Sequence, residues 1–398
     1  MAVAAGPDIV EDGLVLYYDL DNNIKSWKGE PTTNIISAQS ISGFQNITYT
    51  YVGLEDGWKK YAISGTWSSG TYPWSCRIPN STLTGGVAYS ARFLVKINAS
   101  ARAKFATWPD TSGGVHYVND PNMVSAGTKT STSLGYDSDA LEIFEVKNQG
   151  LTYSTGYANP TTIQPGYFHS RPLSDGTSFD SNTDFVWIKE VQTEQGSYCT
   201  PYVDGTRSTS QSILDISGQN QTVTISSLTY SEGNTPTFNG TSNYIDIPSD
   251  LGYTTTCSAF AWFKSAGSPS GGYHIVYGGQ ELEISIFNTG YLRTGVYQGS
   301  RFVSNHGSGL VDGNWHYVGF TFDGSTKLSY INGEFVGSQA VSAGSLTYNV
   351  SNRRIGRWGA NSSYYCNGSI NQPKIYSKAL IAAEVKQNYI ATKSRYGL

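Results

Sequence analysis

The sequence predicts an all-β protein made of β-sandwich domains, and three observations carry that prediction. The first is composition. Gly (44) and Tyr (29) are abundant and Trp reaches 9, while Met is 2 and charged residues are 14%. Strands favour aromatic and β-branched residues, Gly and Asn serve tight turns, and helix formers are scarce, which is the balance of a sandwich or barrel. The second is the recurrence of short apolar runs between Gly/Ser/Thr turns. The third is length: 398 residues accommodate two domains, each with its own core.

Taken in order, residues 13–20 (GLVLYYDL) read as a buried strand. A polar turn follows, and residues 28–36, punctuated by Gly29 and Pro31, read as a domain junction. From 32 to 204, strands are expected at 58–64, 88–96, 141–147 and 184–192. In the last of these, Phe185, Trp187 and Lys189 fall on one face and Val186, Ile188 and Glu190 on the other. From 205 onward, strands are expected at 242–248, 257–264, 281–287, 315–322 and 327–331. Asn332-Gly333 is a two-residue hairpin turn, because both positions can take positive φ. One helix is predicted, over 381–394, where Ile381, Val385 and Tyr389 form a single apolar stripe.

Several function classes are disfavoured. Net charge is -4 and no Lys/Arg run occurs, so a nucleic-acid surface is not expected. No apolar stretch reaches spanning length, and residues 1–7 lack a basic region and a long apolar region, so neither membrane insertion nor a secretory signal is expected. Cys76, Cys199, Cys257 and Cys366 fit no zinc spacing and allow three pairings; they are read as buried free thiols. His116, His169, His274, His306 and His316 show no ligand spacing, and no nucleophile elbow or phosphate-binding loop occurs.

Residues 205–398 carry a series of motifs: Leu214-Asp215-Ile216-Ser217-Gly218, Phe238-Asn239-Gly240, Asp312-Gly313-Asn314-Trp315-His316, the Asn332-Gly333 hairpin, Asn367-Gly368-Ser369-Ile370, and 375–385. Together and in this order they resemble the LamG-like (concanavalin A-like) jelly-roll domains. In such domains the first strand reads like 13–19 and the Asp-x-Ser-Gly element follows soon after, whereas here roughly two hundred residues separate Asp19 from Asp215. The expected organisation is therefore an all-β fold of two jelly-roll β-sandwich domains, one inserted in a loop of the other, with a short C-terminal helix. The parts are an anchor segment 1–12, a LamG-like sandwich of 13–30 plus 205–398, and an inserted domain of 31–204 that is similar to carbohydrate-binding modules. Many such modules carry an acidic residue for structural calcium where this chain has Lys189, so calcium is not expected in the insert.

Three groups of residues invite a chemical reading. Glu281 and Glu283 alternate on one strand, the pattern of concanavalin A-like glycosidases; the third carboxylate of that motif is absent, since Ser285 and Ile286 stand there, so a half-exposed strand is the expectation and no catalytic residue is assigned. Asp19, Asp21, Asn23 and Glu30 match calcium-loop spacing, but Ile24 replaces the required Gly, so a polar turn is expected and no metal ligand or cofactor is assigned; a structural calcium at a LamG-like rim cannot be located. Aromatic rings stack on sugar faces. Trp58, Trp67, Tyr72, Trp74 and Trp108 in the insert, and Arg357, Trp358, Tyr364 and Tyr365 in the second unit, are the candidate carbohydrate-binding residues, while Trp187, Trp262 and Trp315 are assigned to cores.

The termini, at 6–16 and at 383–398, look like those of many phage virion proteins. The resemblance implies a non-enzymatic protein of the virion surface, a fibre or capsid decoration, that binds host-surface polysaccharide in attachment. Its other expected partners are virion proteins and copies of itself, trimers being common in this class. A purely structural assembly role and a polysaccharide depolymerase are the alternatives.

Overall fold

The computed structural model describes residues 8–22, 25–35, 46–67, 76–77, 84–110, 123–154, 167–226, 228, 236–247, 251–279, 281–342, 344–346, 353–359 and 364–398. The chain divides into two compact units, Met1–Pro31 with Ser208–Leu398, and Thr32–Arg207.

The first unit is a sandwich of two antiparallel sheets. Its front sheet runs in the order Thr224–Ile225, Ile245–Asp246, Arg354–Ile355, Tyr273–Gly278, Leu282–Phe287, Leu292–Tyr297, Arg301–His306. Its back sheet runs Leu14–Tyr17, Asn367–Tyr376, Cys257–Ser265, His316–Phe322, Thr326–Ile331, Glu334–Ala340, with Thr237–Asn239 also paired to Asn367–Tyr376. Alternation feeds the core: Leu282, Ile284 and Ile286 enter it from the front, and Cys257, Ala259, Ala261 and Phe263 from the back. The remaining faces of Phe260 and Trp262 join Tyr317, Tyr330, Tyr376 and Val385 in a second cluster. Both faces of this strand are thus covered, which is why its middle, residues 259–263, is an uninterrupted apolar run.

The first strand is fixed by residues some two hundred positions away. The Tyr17 amide donates to Asp215 Oδ1 at 2.9 Å, and the Ile216 amide donates to the Tyr17 carbonyl at 2.7 Å. Asp19 is buried, ion-paired with Arg395, and accepts from Gln372 Nε2 at 3.1 Å. The Arg395 guanidinium thus balances the Asp19 carboxylate; Asn23 lies outside the described residues. Residues 8–10 also belong to the folded unit: the Val10 amide donates to Asn388 Oδ1 at 2.8 Å and Tyr376 Oη donates to the Val10 carbonyl at 3.0 Å.

The helix spans Ala382–Lys393. Of the expected stripe, Val385 is buried and Tyr389 packs against the same cluster, whereas Ile381 is exposed and precedes the first helical residue; Asn388 and Thr392 complete the buried side. Asn388 and Thr392 go under because each finds a partner there: Asn388 Nδ2 donates to Tyr376 Oη at 3.0 Å, and Trp262 Nε1 donates to Thr392 Oγ1 at 3.0 Å. The Asn332-Gly333 hairpin forms as expected, with φ of 52° and 78°.

In the second unit the main sheet runs Ser178–Phe179, Trp58–Thr66, Phe185–Gln195, Ala88–Ile97, Glu142–Tyr153, Met123–Tyr136, with Thr48–Glu55 paired to Trp58–Thr66. A three-stranded sheet joins Cys76–Arg77, Tyr167–Pro172 and Phe105–Asp110, and Thr32–Thr33 pairs with Thr206–Arg207. Val186 and Ile188 are core residues as expected, but Glu190 is not their continuation. It adopts φ of 55°, the register shifts between Lys189 and Gln192, and Val191 takes the next inward position. The bulge turns Glu190 toward Arg92, at 3.2 Å. Cys257 and Cys366 are buried free thiols, and the buried Cys199 thiol donates to the Ala91 carbonyl at 3.3 Å; the Cys76 side chain lies outside the described residues. Among the described residues no helix is long and apolar enough to cross a membrane, and no group of three His, Cys, Asp or Glu side chains could hold a metal.

Candidate functional site

The inward turn of Leu282, Ile284 and Ile286 leaves Glu283 and Ser285 on the outer face of the front sheet. Antiparallel register places Gly295 opposite Glu283 and Arg293 opposite Ser285, and the next strand begins at Arg301. These residues meet Tyr273 and Ile275 of one neighbouring strand, and Trp358 and Tyr364 beyond it, around a cleft of about 120 Å³.

The cleft has a charged floor and aromatic walls. Glu283 is ion-paired with Arg301 and with Arg293, whose Nε lies 3.4 Å from Oε1, and Ser285 Oγ donates to the same oxygen at 2.8 Å. The Arg301 guanidinium lies 4.7 Å from the centre of the Trp358 ring. Tyr273 meets Tyr364 edge to face, with centroids 5.6 Å apart, and packs on Phe287 at 4.6 Å. The exposed charge is a guanidinium: the Arg301 side chain is 42% exposed and that of Glu283 only 5%.

Beneath this face lies a second cation. Lys327 Nζ donates to the carbonyls of Thr294 and Phe302, at 2.6 and 3.2 Å, and to Gln339 Oε1 at 2.8 Å. Burial pushes its amine down to about 7, Glu283 opposing the shift.

Glu281 and Glu283 do not share a site. Glu281 is fully buried, ion-paired with Arg353, and accepts from Tyr253 Oη and Tyr277 Oη at 3.3 Å each. Burial drives its carboxyl above the usual range, against the pull of Arg353. Glu281 precedes the strand Leu282–Phe287, and its side chain is held among the core tyrosines Tyr253 and Tyr277, so simple alternation does not apply to it. Nor is the segment half-exposed: Leu282 to Ile286 are all buried.

Of the nine aromatic and basic residues expected to bind sugar, the structure brings Trp358 and Tyr364 to the cleft. Their backbones are joined by a 3.0 Å hydrogen bond from the Trp358 amide to the Tyr364 carbonyl. Arg357 and Tyr365 bridge alongside them but alternate away: the Arg357 guanidinium stacks 4.9 Å from Tyr244 and 5.5 Å from Tyr365. In the second unit, Trp67 is part of the hydrophobic core. Trp58 is buried beneath Lys96 and Lys189, whose Nζ atoms lie 4.9 and 5.8 Å from its ring. Trp187 is buried outside that core, with Nε1 bonded to Glu55 at 2.9 Å and Lys96 over its ring at 5.5 Å. Trp262 is wholly buried and Trp315 packs beside it against Tyr396. Tyr72, Trp74 and the Trp108 side chain lie outside the described residues.

Sequence reasoning missed Tyr273, Arg293 and Arg301. Their outward positions follow from strand alternation, but their convergence depends on strand order, which no local pattern encodes.

No curated protein matches the chain. Among solved structures, it is similar to the binding domain of botulinum neurotoxin DC in complex with rat synaptotagmin II (13% identity, TM-score 0.36), with 45% of this chain and 48% of that one covered. It is also similar to the binding domain of Paraclostridial Mosquitocidal Protein 1 (17% identity, TM-score 0.38), with 44% and 49% covered. The chain thus spans about half the length of the solved structures it matches. Residues 238–386 match the family model of the concanavalin A-like lectin/glucanases superfamily, and every residue lining the cleft falls within that span, so the cleft belongs to a concanavalin A-like domain.

Proposed function

We propose that this chain is a non-enzymatic glycan-binding protein whose sugar site is the front-sheet cleft, and that it works on the surface of a phage particle in host attachment. The observation that carries the reading is the cleft itself: Trp358, Tyr364 and Tyr273 offer ring surface, and Arg293 and Arg301 offer hydrogen-bond donors, on the outer face of a lectin-like sandwich. The non-enzymatic part rests on the carboxylates. Glycoside hydrolysis uses two carboxyl groups roughly 5–9.5 Å apart across the scissile bond. Among the described residues Glu283 is the one carboxylate lining the cleft, tied down by two arginines, and Glu281 is sealed in the core with Arg353. The virion setting, with virion proteins, host polysaccharide and further copies of the chain as partners, rests on the likeness of the termini to phage virion proteins.

A glycan array probed with the full chain and with Trp358→Ala tests the site. The account expects discrete glycan hits that Trp358→Ala abolishes. Hits that survive the substitution would move the sugar site elsewhere, and a blank array with the wild-type chain would favour a purely structural role. Mass spectrometry of purified particles tests the setting; absence of the chain from particles would refute it.

A further inference from the structure

We infer that the cleft selects an acidic saccharide, one carrying a carboxylate or sulfate, which the Arg301 guanidinium receives. This rests on the glycan-binding reading of the same cleft and narrows it to one class of ligand.

The argument is one of charge and access. Two guanidinium groups, Arg293 and Arg301, converge on the single carboxylate of Glu283, so the cleft keeps an excess positive charge. The two signs are not presented equally. Glu283 is almost wholly covered and its oxygens are engaged by Ser285 and both arginines, whereas the Arg301 side chain is 42% exposed. A ligand entering the cleft therefore meets a cation first. Arg301 lies over the Trp358 ring at 4.7 Å, which helps hold the guanidinium in place, and a guanidinium carries more N–H donors than the pair with Glu283 uses. A guanidinium held in this way pairs bidentately with carboxylate or sulfate oxygens. The ring that bears the anion then falls against Tyr273 and Tyr364.

The test is calorimetric titration of the full chain with an oligogalacturonate and with the neutral oligogalactoside of equal length. The inference expects the acidic ligand to bind about tenfold more tightly, the worth of one charge-assisted pair at a half-exposed site. It expects that preference to shrink as salt rises. Arg301→Gln should bring the ratio of the two affinities toward one, and Glu283→Gln, which removes the competing carboxylate, should raise it. Equal binding of the two ligands, or tighter binding of the neutral one, would overturn the inference and leave the glycan-binding reading standing. Failure of both saccharides to bind would overturn the inference, and a blank glycan array beside it would overturn the glycan-binding reading as well.

Discussion

Gly278 ends the strand that carries Tyr273 and Ile275, and the Arg357–Trp358 backbone packs directly against it. A methyl group at Gly278 would lie 2.3 Å from the Arg357 carbonyl oxygen, 2.7 Å from Ile275 Cγ2 and 2.9 Å from Trp358 Cα. Ordinary contact begins at 3.4 Å. Gly278→Ala must therefore push the 357–358 backbone outward by roughly 1 Å, an overpacking that costs about 1–3 kcal/mol. The displacement carries the Trp358 indole off Arg301 and widens the gap to Tyr273. Losing one aromatic contact to a sugar corresponds to about 1 kcal/mol, or roughly a fivefold weaker affinity. Urea unfolding and titration with the glycan that binds best would measure both effects on one preparation. A variant as stable as the wild type, with unchanged affinity, would refute the claim that this glycine holds the aromatic wall in place.

Three further outcomes are expected. Burial lowers Lys327 and Lys374 to about 7, so above that pH the unfolded chain holds protons that the folded chain has released, and stability should rise by up to ~1.4 kcal/mol per pH unit for each lysine. Above about 8.5 the thiols of Cys257 and Cys366, raised by burial, act in the opposite sense, so urea midpoints should climb from pH 7 to about 8.5 and then level off; a fall between pH 7 and 8 would contradict the burial of the two amines. Trp262→Ala empties a fully buried site packed against Tyr317 and Tyr396 and removes the donor to Thr392, so it should cost about 3–5 kcal/mol and expose helix amides to hydrogen exchange; unchanged protection would show that the helix is held otherwise. Arg353→Met leaves the Glu281 carboxylate buried without its cation, at roughly 3–5 kcal/mol, and adding Glu281→Gln should recover part of the loss in thermal unfolding.

Much of the fold was legible because its signals are local. The run Cys257–Ser265, the Asn332-Gly333 turn and the alternating Leu282, Ile284 and Ile286 each declare their structure within a few residues. The helix was legible in place, and Val385 and Tyr389 of its apolar stripe do pack inward. Asn388 and Thr392 join them because of polar partners, Tyr376 and Trp262, and apolar periodicity cannot register such partners. The bulge at Glu190 failed for a related reason, since one residue with positive φ resets a period-two pattern without any Gly to mark it. In the site, Trp358 and Tyr364 stood out as aromatics near a strand end. Arg293 and Arg301 did not, because outward charged residues on a strand are common and only the neighbouring strand order turns these two toward Glu283. Trp58 and Trp67 show the converse: abundant tryptophan reads alike whether it faces a ligand, a lysine or a core.

The central claim is that sugar binds in the front-sheet cleft, and the most direct measurement is a crystal structure of the full chain soaked with the best glycan from the array. The account predicts saccharide density between Trp358, Tyr364 and Tyr273, with an anionic group against Arg301. Density on the second unit, beside Trp58 or Trp187, with the cleft unoccupied, would contradict it.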